Sequence, residues 1–177
     1  MSAPFYHILS KCDRALVAYI VSQGAGTPLD TFPMKRSEDK TLPITQVWSR
    51  HAKPEGNHYS GTYLVQAIVI VRTLGIAEQD TDNAIEAPAS ASDQRVGATF
   101  DAFHVFGDDA QAGDQLADAV TAAARASAVS PRDGDLKDFT IQSVKVEEMD
   151  AGFEAKGDGW SDVIHLEILC NVGDVSG

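Results

Sequence analysis

Histidine offers the widest choice of chemistry in this sequence, because an imidazole can bind a metal or carry a proton near neutral pH. The chain has five, at His7, His51, His58, His104 and His165. No two stand four residues apart on a predicted helix, and none lies in an HExxH pattern. His51 and His58 flank a predicted hairpin loop and can approach each other, but no carboxylate or thiol completes a ligand set there. We therefore expect solvated loop histidines and no metal site.

The candidate nucleophiles and phosphate loops also lack their usual context. Cys12 and Cys170 are far apart in the sequence and outside any CxxC pattern, so a disulfide scaffold or zinc site is not expected. Each lies on an apolar face, where cysteine behaves as a small hydrophobe. GxSxG and GK[ST] patterns are absent, and the glycines at 24 and 26 follow a predicted helix rather than a strand. The sequence predicts no catalytic residue, no cofactor and no enzyme.

Length and charge narrow the class of protein. The 177 residues include 14 basic and 26 acidic side chains, a formal net charge of -12. Such a chain lacks the cations that displace counterions from phosphates, which excludes a groove-reading DNA-binding protein. The longest apolar run, residues 67–71, is far shorter than the roughly 20 residues of a membrane span, and the start does not resemble a secretory signal. We expect a single domain over residues 1–177, made in the cytoplasm.

The elements in the first half of the chain follow from apolar spacing. Steps of three and four residues predict a helix over 8–22, ended by glycines, and residues 24–41 form a predicted long loop. Alternation predicts strands over 42–50 and 63–73, joined as a hairpin by the turn residues 53–58. The second strand is apolar on both faces in its middle. It is therefore a central strand covered on both sides, or covered on one side by a partner subunit.

The predicted elements of the second half of the chain occur in the same order as those of the first half, with helices followed by strands. Residues 75–93 show no period and form a second predicted loop, and helices are predicted over 94–105 and 108–129. Strands over 139–148 and 161–172 follow, separated by turn residues at 150–152 and 156–159. The order indicates an α+β fold: a mainly antiparallel sheet of two hairpins, with an N-terminal helix and two central helices packed on it.

The candidate interaction residues lie near the first hairpin. Trp48 is either a core residue or an interface anchor. The predicted loop over residues 24–41 carries Met34 among charged side chains. This part of the loop is either a docking segment or a solvated loop. The possible interface residues are thus Met34, Lys35, Arg36, Asp39 and Trp48.

The order of several segments resembles the tail terminator (tail completion) proteins of tailed bacteriophages and their relatives in the virion neck. The resemblance spans most of the chain. The segments that carry it are LVAYI at 16–20, FPMKRSEDK at 32–40, LP at 42–43, SGTY at 60–63, RV at 95–96, FDAF at 100–103, WSD at 160–162 and LEILC at 166–170.

The resemblance implies an α+β subunit that forms a ring, often of six copies, at the head-proximal end of the tail tube. The ring stops tube polymerisation and docks the filled head, without catalysis. Its implied partners are other copies of itself, the tail tube protein and a head-closure or connector protein. DNA would traverse the channel without specific binding, which a strongly acidic subunit suits because like charge prevents phosphate contacts. The implied location is the virion neck, after assembly in the host cytoplasm.

Three alternatives stay open at the level of sequence. One is a head–tail connector or head-closure protein of the same neck. Another is an intracellular small-molecule enzyme whose site lies among His51, His58 and Trp48. The third is a monomeric binding module.

Overall fold

The computed structural model describes residues 5–33, 43–56, 61–74, 91–103, 110–126, 139–154 and 159–172. Three helices and five strands occur in these ranges. The helices are α1 (Phe5–Ser22), α2 (Ala91–Phe103) and α3 (Ala110–Ala126). The strands are β1 (Thr31–Pro33), β2 (Ile44–Pro54), β3 (Thr62–Leu74), β4 (Phe139–Glu154) and β5 (Gly159–Val172).

The strands form one sheet in the order β1-β2-β3-β5-β4. The β2–β3, β3–β5 and β4–β5 pairs are antiparallel, and only the short pairing between β1 and β2 is parallel among the described strands. The two predicted hairpins are therefore confirmed, and β3 is the central strand, as its apolar middle predicts. The α+β class with a mainly antiparallel sheet is confirmed as well.

The main core lies between one face of the sheet and the helices. Apolar residues of α1 recur at helical spacing and pack with buried residues of α3, which is rich in alanine, the residue with the highest helix propensity. Alternate residues of the strands complete this core: Val47, Val65, Ala67, Val69, Ile164, Leu166 and Ile168. The last strand therefore faces the core with the residues that its alternation predicts.

Two side-chain hydrogen bonds to strand amides fix helices on the sheet. Asp13 Oδ1 accepts a bond from the Ser49 amide at 2.6 Å, where the register between β2 and β3 shifts. Thr121 Oγ1 of α3 accepts a bond from the Ile141 amide at 3.0 Å. The amphipathic pattern places Asp13 among the polar residues of α1, whereas the side chain is buried, so the pattern alone misplaces it.

The other face of the sheet, here called the second face, is also largely buried along its centre. Directly opposed residues share a face, so the register defines its members. On β2, β3 and β5 they are Ile44, Gln46, Trp48, His51, Lys53, Thr62, Leu64, Gln66, Ile68, Ile70, Arg72, Ser161, Val163, His165, Glu167, Leu169 and Asn171, and on β4 they include Ser143, Lys145, Glu148 and Asp150. Ile68 and Ile70 are only 7% and 9% exposed within the single chain. The middle of β3 is thus covered on both sides, as predicted, and it needs no partner subunit for that cover.

The structure corrects two predictions near chain turns. Residues 31–33 lie inside the predicted loop 24–41 but form β1, which pairs with residues 45–47. A strand of three residues ending in proline has no readable alternation, and only its position at a sheet edge tolerates the missing amide. The predicted turn at 150–152 is also wrong, because β4 continues through it to Glu154 and pairs with the first half of β5.

Other boundaries shift by a few residues. The strand predicted over 42–50 runs to Pro54, which leaves a shorter connection to β3 than expected, and α2 begins three residues before its predicted start. Most of the second predicted loop, residues 75–90, lies outside the described residues. Among the helices that are described, none is long and apolar enough to cross a membrane.

Candidate functional site

Trp48 is the one predicted interface residue that the structure describes. It lies on β2, opposite Ile68 of β3, and its ring is partly exposed on the second face. It is therefore neither a fully buried core residue nor a free surface residue. The other four predicted interface residues, Met34, Lys35, Arg36 and Asp39, lie outside the described residues.

Further apolar side chains on the second face are also partly exposed. Leu64 and Leu169 are directly opposed on β3 and β5, and Val163 lies opposite Ile70. Trp48 and Val163 flank the buried pair Ile68 and Ile70 on the neighbouring strands, whereas the polar pair Gln66 and Glu167 separates Leu64 and Leu169 from Ile68. An apolar surface of this kind is typical of a protein contact, since contacts combine a dry centre with partly accessible flanks.

Two buried polar atoms on the second face lack hydrogen-bond partners within the described structure. They are Oε1 of Gln46, a residue only 2% exposed, and Oγ of Ser161. A buried polar atom without a partner costs about 1–3 kcal/mol. A group that bound this face and donated hydrogen bonds would recover part of that free energy.

Arg95 of α2 forms a polar cluster with residues of β1, β2 and the turn before β1. Its guanidinium bonds Asp30 Oδ1 at 2.8 Å and Thr31 Oγ1 at 2.9 Å, and its Nε bonds Thr45 Oγ1 at 2.9 Å. Burial alone would raise the pKa of Asp30, but hydrogen bonds from Arg95 and the Thr27 amide outweigh it and lower that pKa to about 2. All the partners are protein groups, so the cluster joins α2 to β1 and β2.

The two cysteines meet inside the core despite their distance in sequence. Cys12 and Cys170 are both free and completely buried, with their Sγ atoms 4.0 Å apart. The hydrogen bond with Cys170, together with burial, raises the pKa of the Cys12 thiol well above its usual range. A thiol of raised pKa is a poor nucleophile. Both cysteines lie in the hydrophobic core, as their apolar faces in the sequence predict.

The histidines proposed for the enzyme alternative do not form a site in the described residues. His51 is exposed on β2 and follows the register shift at Arg50, while His58 lies outside the described residues. Among the described residues, no contact joins His51 to a carboxylate or thiol.

Sequence reasoning missed a cluster around His165. His165 of β5 lies directly opposite Glu148 of β4, and its Nε2 is 3.1 Å from Asp150 Oδ2. One potential ligand atom from each of the three residues lies within 4.8 Å of the others. The residues are 15 and 17 positions apart on two strands, so no short spacing motif could have indicated this arrangement.

Comparison with known proteins adds no assignment: no protein-family model matches the chain, and no curated protein matches it at a significant level.

Proposed function

We propose that this protein is a structural subunit of a tailed-phage virion, which forms a ring that ends the tail tube and joins it to the head. The proposal starts from the ordered resemblance of segments. Those that the structure describes fall on α1, directly before β2, at the start of β3, on α2 and on β5, and most of residues 32–40 lies outside the described residues. The α+β architecture that the resemblance implies is the architecture of the chain. The role needs no catalytic group.

The observation that carries the proposal is the partly exposed apolar part of the second face. All three helices contribute to the layer on the opposite face, through the core packing of α1 and α3 and the bonds from Arg95 of α2 to Asp30, Thr31 and Thr45. Trp48, Leu64, Val163 and Leu169 are left partly accessible. A neighbouring copy of the chain is the occupant we propose for this surface, because a head-to-tail contact repeated by rotation closes a ring.

The net charge supports the role without defining the contact. A subunit with a formal charge of -12 repels phosphate, so DNA can pass a channel built from such subunits without being retained. The further partners in this proposal are the tail tube protein on one side of the ring and a head-closure or connector protein on the other. The neck connector itself is the closest alternative, and it differs in which of these partners the ring binds.

The test is the solution mass by light scattering behind size exclusion, followed by imaging of the purified protein. Six copies of 18.9 kDa give a ring of about 113 kDa. Trp48→Gln and Leu169→Gln should each reduce the ring to smaller species, while far-UV circular dichroism shows that the subunit keeps its secondary structure. Leu29→Gln is the matched control, since Leu29 is 80% exposed and lies outside the second face.

A chain that remains monomeric up to millimolar concentration, and that also fails to form a ring on purified tail tubes, would overturn the proposal. So would a ring that both second-face variants leave intact. A ring that binds connector but not tube would replace the terminator by the neck connector.

A further inference from the structure

We propose that Glu148, Asp150 and His165 form a binding site for a divalent zinc-class metal ion at the β4 edge of the second face. The inference does not depend on the proposed function. It starts from the ligand atoms of the three side chains, which lie within 4.8 Å of one another. Ligands of one zinc ion, bound at 2.0–2.2 Å, are about 3.3–3.6 Å apart, so small side-chain rotations suffice to close the site.

The local backbone places these three side chains on the same face. The register between β4 and β5 shifts between Val146 and Glu148, which leaves Glu147 as the extra residue of a β-bulge. Without the bulge, strict alternation would turn Glu148 and Asp150 toward the opposite face of the sheet. The bulge thus brings two carboxylates to the face of His165, and re-aiming of side chains is a known use of bulges.

The electrostatics of the cluster favour a cation. Two carboxylates within 4.8 Å repel each other, and the chain already carries a net charge of -12. A divalent ion neutralises both carboxylates at once and takes as its third ligand the Nε2 atom of His165, which is 3.1 Å from Asp150 Oδ2.

The donor set selects the class of ion. One imidazole nitrogen with two carboxylate oxygens suits zinc and its first-row neighbours, whereas calcium and magnesium prefer sites made entirely of oxygen ligands. Asp150 is 53% exposed and His165 is 26% exposed, so solvent can enter and supply the remaining ligand. The bound ion would join β4, the edge strand, to β5 at the point where the bulge interrupts their ladder.

The experiment is calorimetric titration of the full chain with ZnCl₂ at pH 7.5, with the melting temperature as a second readout. We expect one ion per chain and a higher melting temperature, since a ligand that binds only the folded state stabilises it. Glu148→Gln, Asp150→Asn and His165→Gln should each weaken binding at least tenfold. CaCl₂ should bind at least tenfold more weakly than ZnCl₂.

Two matched controls distinguish zinc binding at this site from nonspecific attraction of the cation to an acidic protein. Glu147→Gln removes the same charge one residue away, and His51→Gln removes another exposed histidine of the sheet. Both should keep zinc affinity within twofold of the wild type. The proposal is overturned if ZnCl₂ at 1 mM produces neither heat nor stabilisation, if Glu147→Gln weakens binding as much as Glu148→Gln, or if His165→Gln leaves binding unchanged.

Discussion

At the residue scale, Arg95 shows how a single side chain can join three elements. Its bonds reach the residue before β1, the first residue of β1 and the second residue of β2. The side chain is only 9% exposed and that of Asp30 is 31% exposed, so these bonds are partly shielded from water. Loss of either charge would leave the other partly buried without its partner, which is the costly way to break an ion pair.

The lowered pKa of Asp30 predicts a pH-dependent contribution to stability. A carboxylate whose pKa falls from 3.8 to about 2 on folding stabilises the native state above its unfolded pKa, and this contribution disappears as the pH falls toward 2. Asp30→Asn should therefore lower the free energy of unfolding by about 1–2 kcal/mol at pH 6, after allowance for solvent screening. The difference from the wild type should vanish near pH 2.

Urea unfolding at a series of pH values measures this difference. Asp118→Asn is the control, because Asp118 is exposed on α3, and it should change the free energy of unfolding by less than about 0.5 kcal/mol. A constant difference between wild type and Asp30→Asn from pH 6 to pH 2 would contradict the assigned role of the ion pair.

The residue types that carry these contacts are visible in the sequence, but their partners are not. Arg95 and Asp30 are 65 residues apart, and Cys12 and Cys170 are 158 apart. Nothing local distinguishes Asp13, buried against the Ser49 amide, from the solvated acidic residues that dominate this chain. The candidate metal cluster was not predicted from the sequence, because only the pairing of β4 with β5 brings its ligands together.

At the element scale, the end of α1 is determined by local sequence. The Ala25 amide bonds the Ile20 carbonyl at 3.2 Å and the Gly24 amide bonds the Val21 carbonyl at 3.0 Å. Gly24 has a φ of 72°, a left-handed conformation that glycine adopts without a steric penalty. This is the Schellman arrangement of hydrogen bonds, and the glycine that forms it lies two residues after the end of the predicted helix.

Two glycine substitutions should therefore have opposite effects on stability. Gly24→Ala should lower the free energy of unfolding by about 1 kcal/mol, since the added Cβ meets open space and only the left-handed backbone is unfavourable. Gly97→Ala, inside α2 and equally free of neighbours, should raise it by up to about 1 kcal/mol through helix propensity. Chemical denaturation of both variants measures the two changes.

Equal effects of the two alanines, in either direction, would show that the left-handed conformation at Gly24 does not control the end of α1. The comparison is informative because neither substitution creates or removes a side-chain contact.

The strands that sequence alternation failed to describe are those with irregular pairing. β1 has three residues, and β4 contains register shifts between Ile141 and Ser143 and between Val146 and Glu148. Each shift reverses which residues face the core, so an alternation fitted to Phe139 and Ile141 is out of phase at Val144 and Val146 and returns to phase only after the second shift, at Glu148. β3 and β5 pair without a shift, and their predicted faces agree with the structure.

At the scale of the whole molecule, burial of apolar surface favours the assembly of subunits, whereas their net charge opposes it. The proposed ring would form through the partly exposed apolar part of the second face, while subunits with a formal charge of -12 repel one another. Salt screens this repulsion, since the Debye length falls from about 10 Å at 0.1 M to about 3 Å at 1 M, whereas an apolar contact is not weakened.

The proposed ring should consequently be favoured by salt. We expect a larger ring fraction at 500 mM than at 50 mM NaCl at equal protein concentration, measured by light scattering behind size exclusion. Trp48→Gln should remain in smaller species at both salt concentrations. Rings that dissociate as salt rises would indicate a contact made of ion pairs and would exclude the apolar part of the second face as its main component.

The sequence by itself determined the class of fold, the two hairpins, the central place of β3 and the end of α1, because these follow from apolar period and from glycine within one short segment. It also indicated that the cysteines are core residues. Only the tertiary structure decided that β1 exists, that Arg95 bonds Asp30, and that Glu148 and Asp150 share a face with His165. Such contacts join residues far apart in the chain, and they depend on strand register, which a shift of one residue reverses.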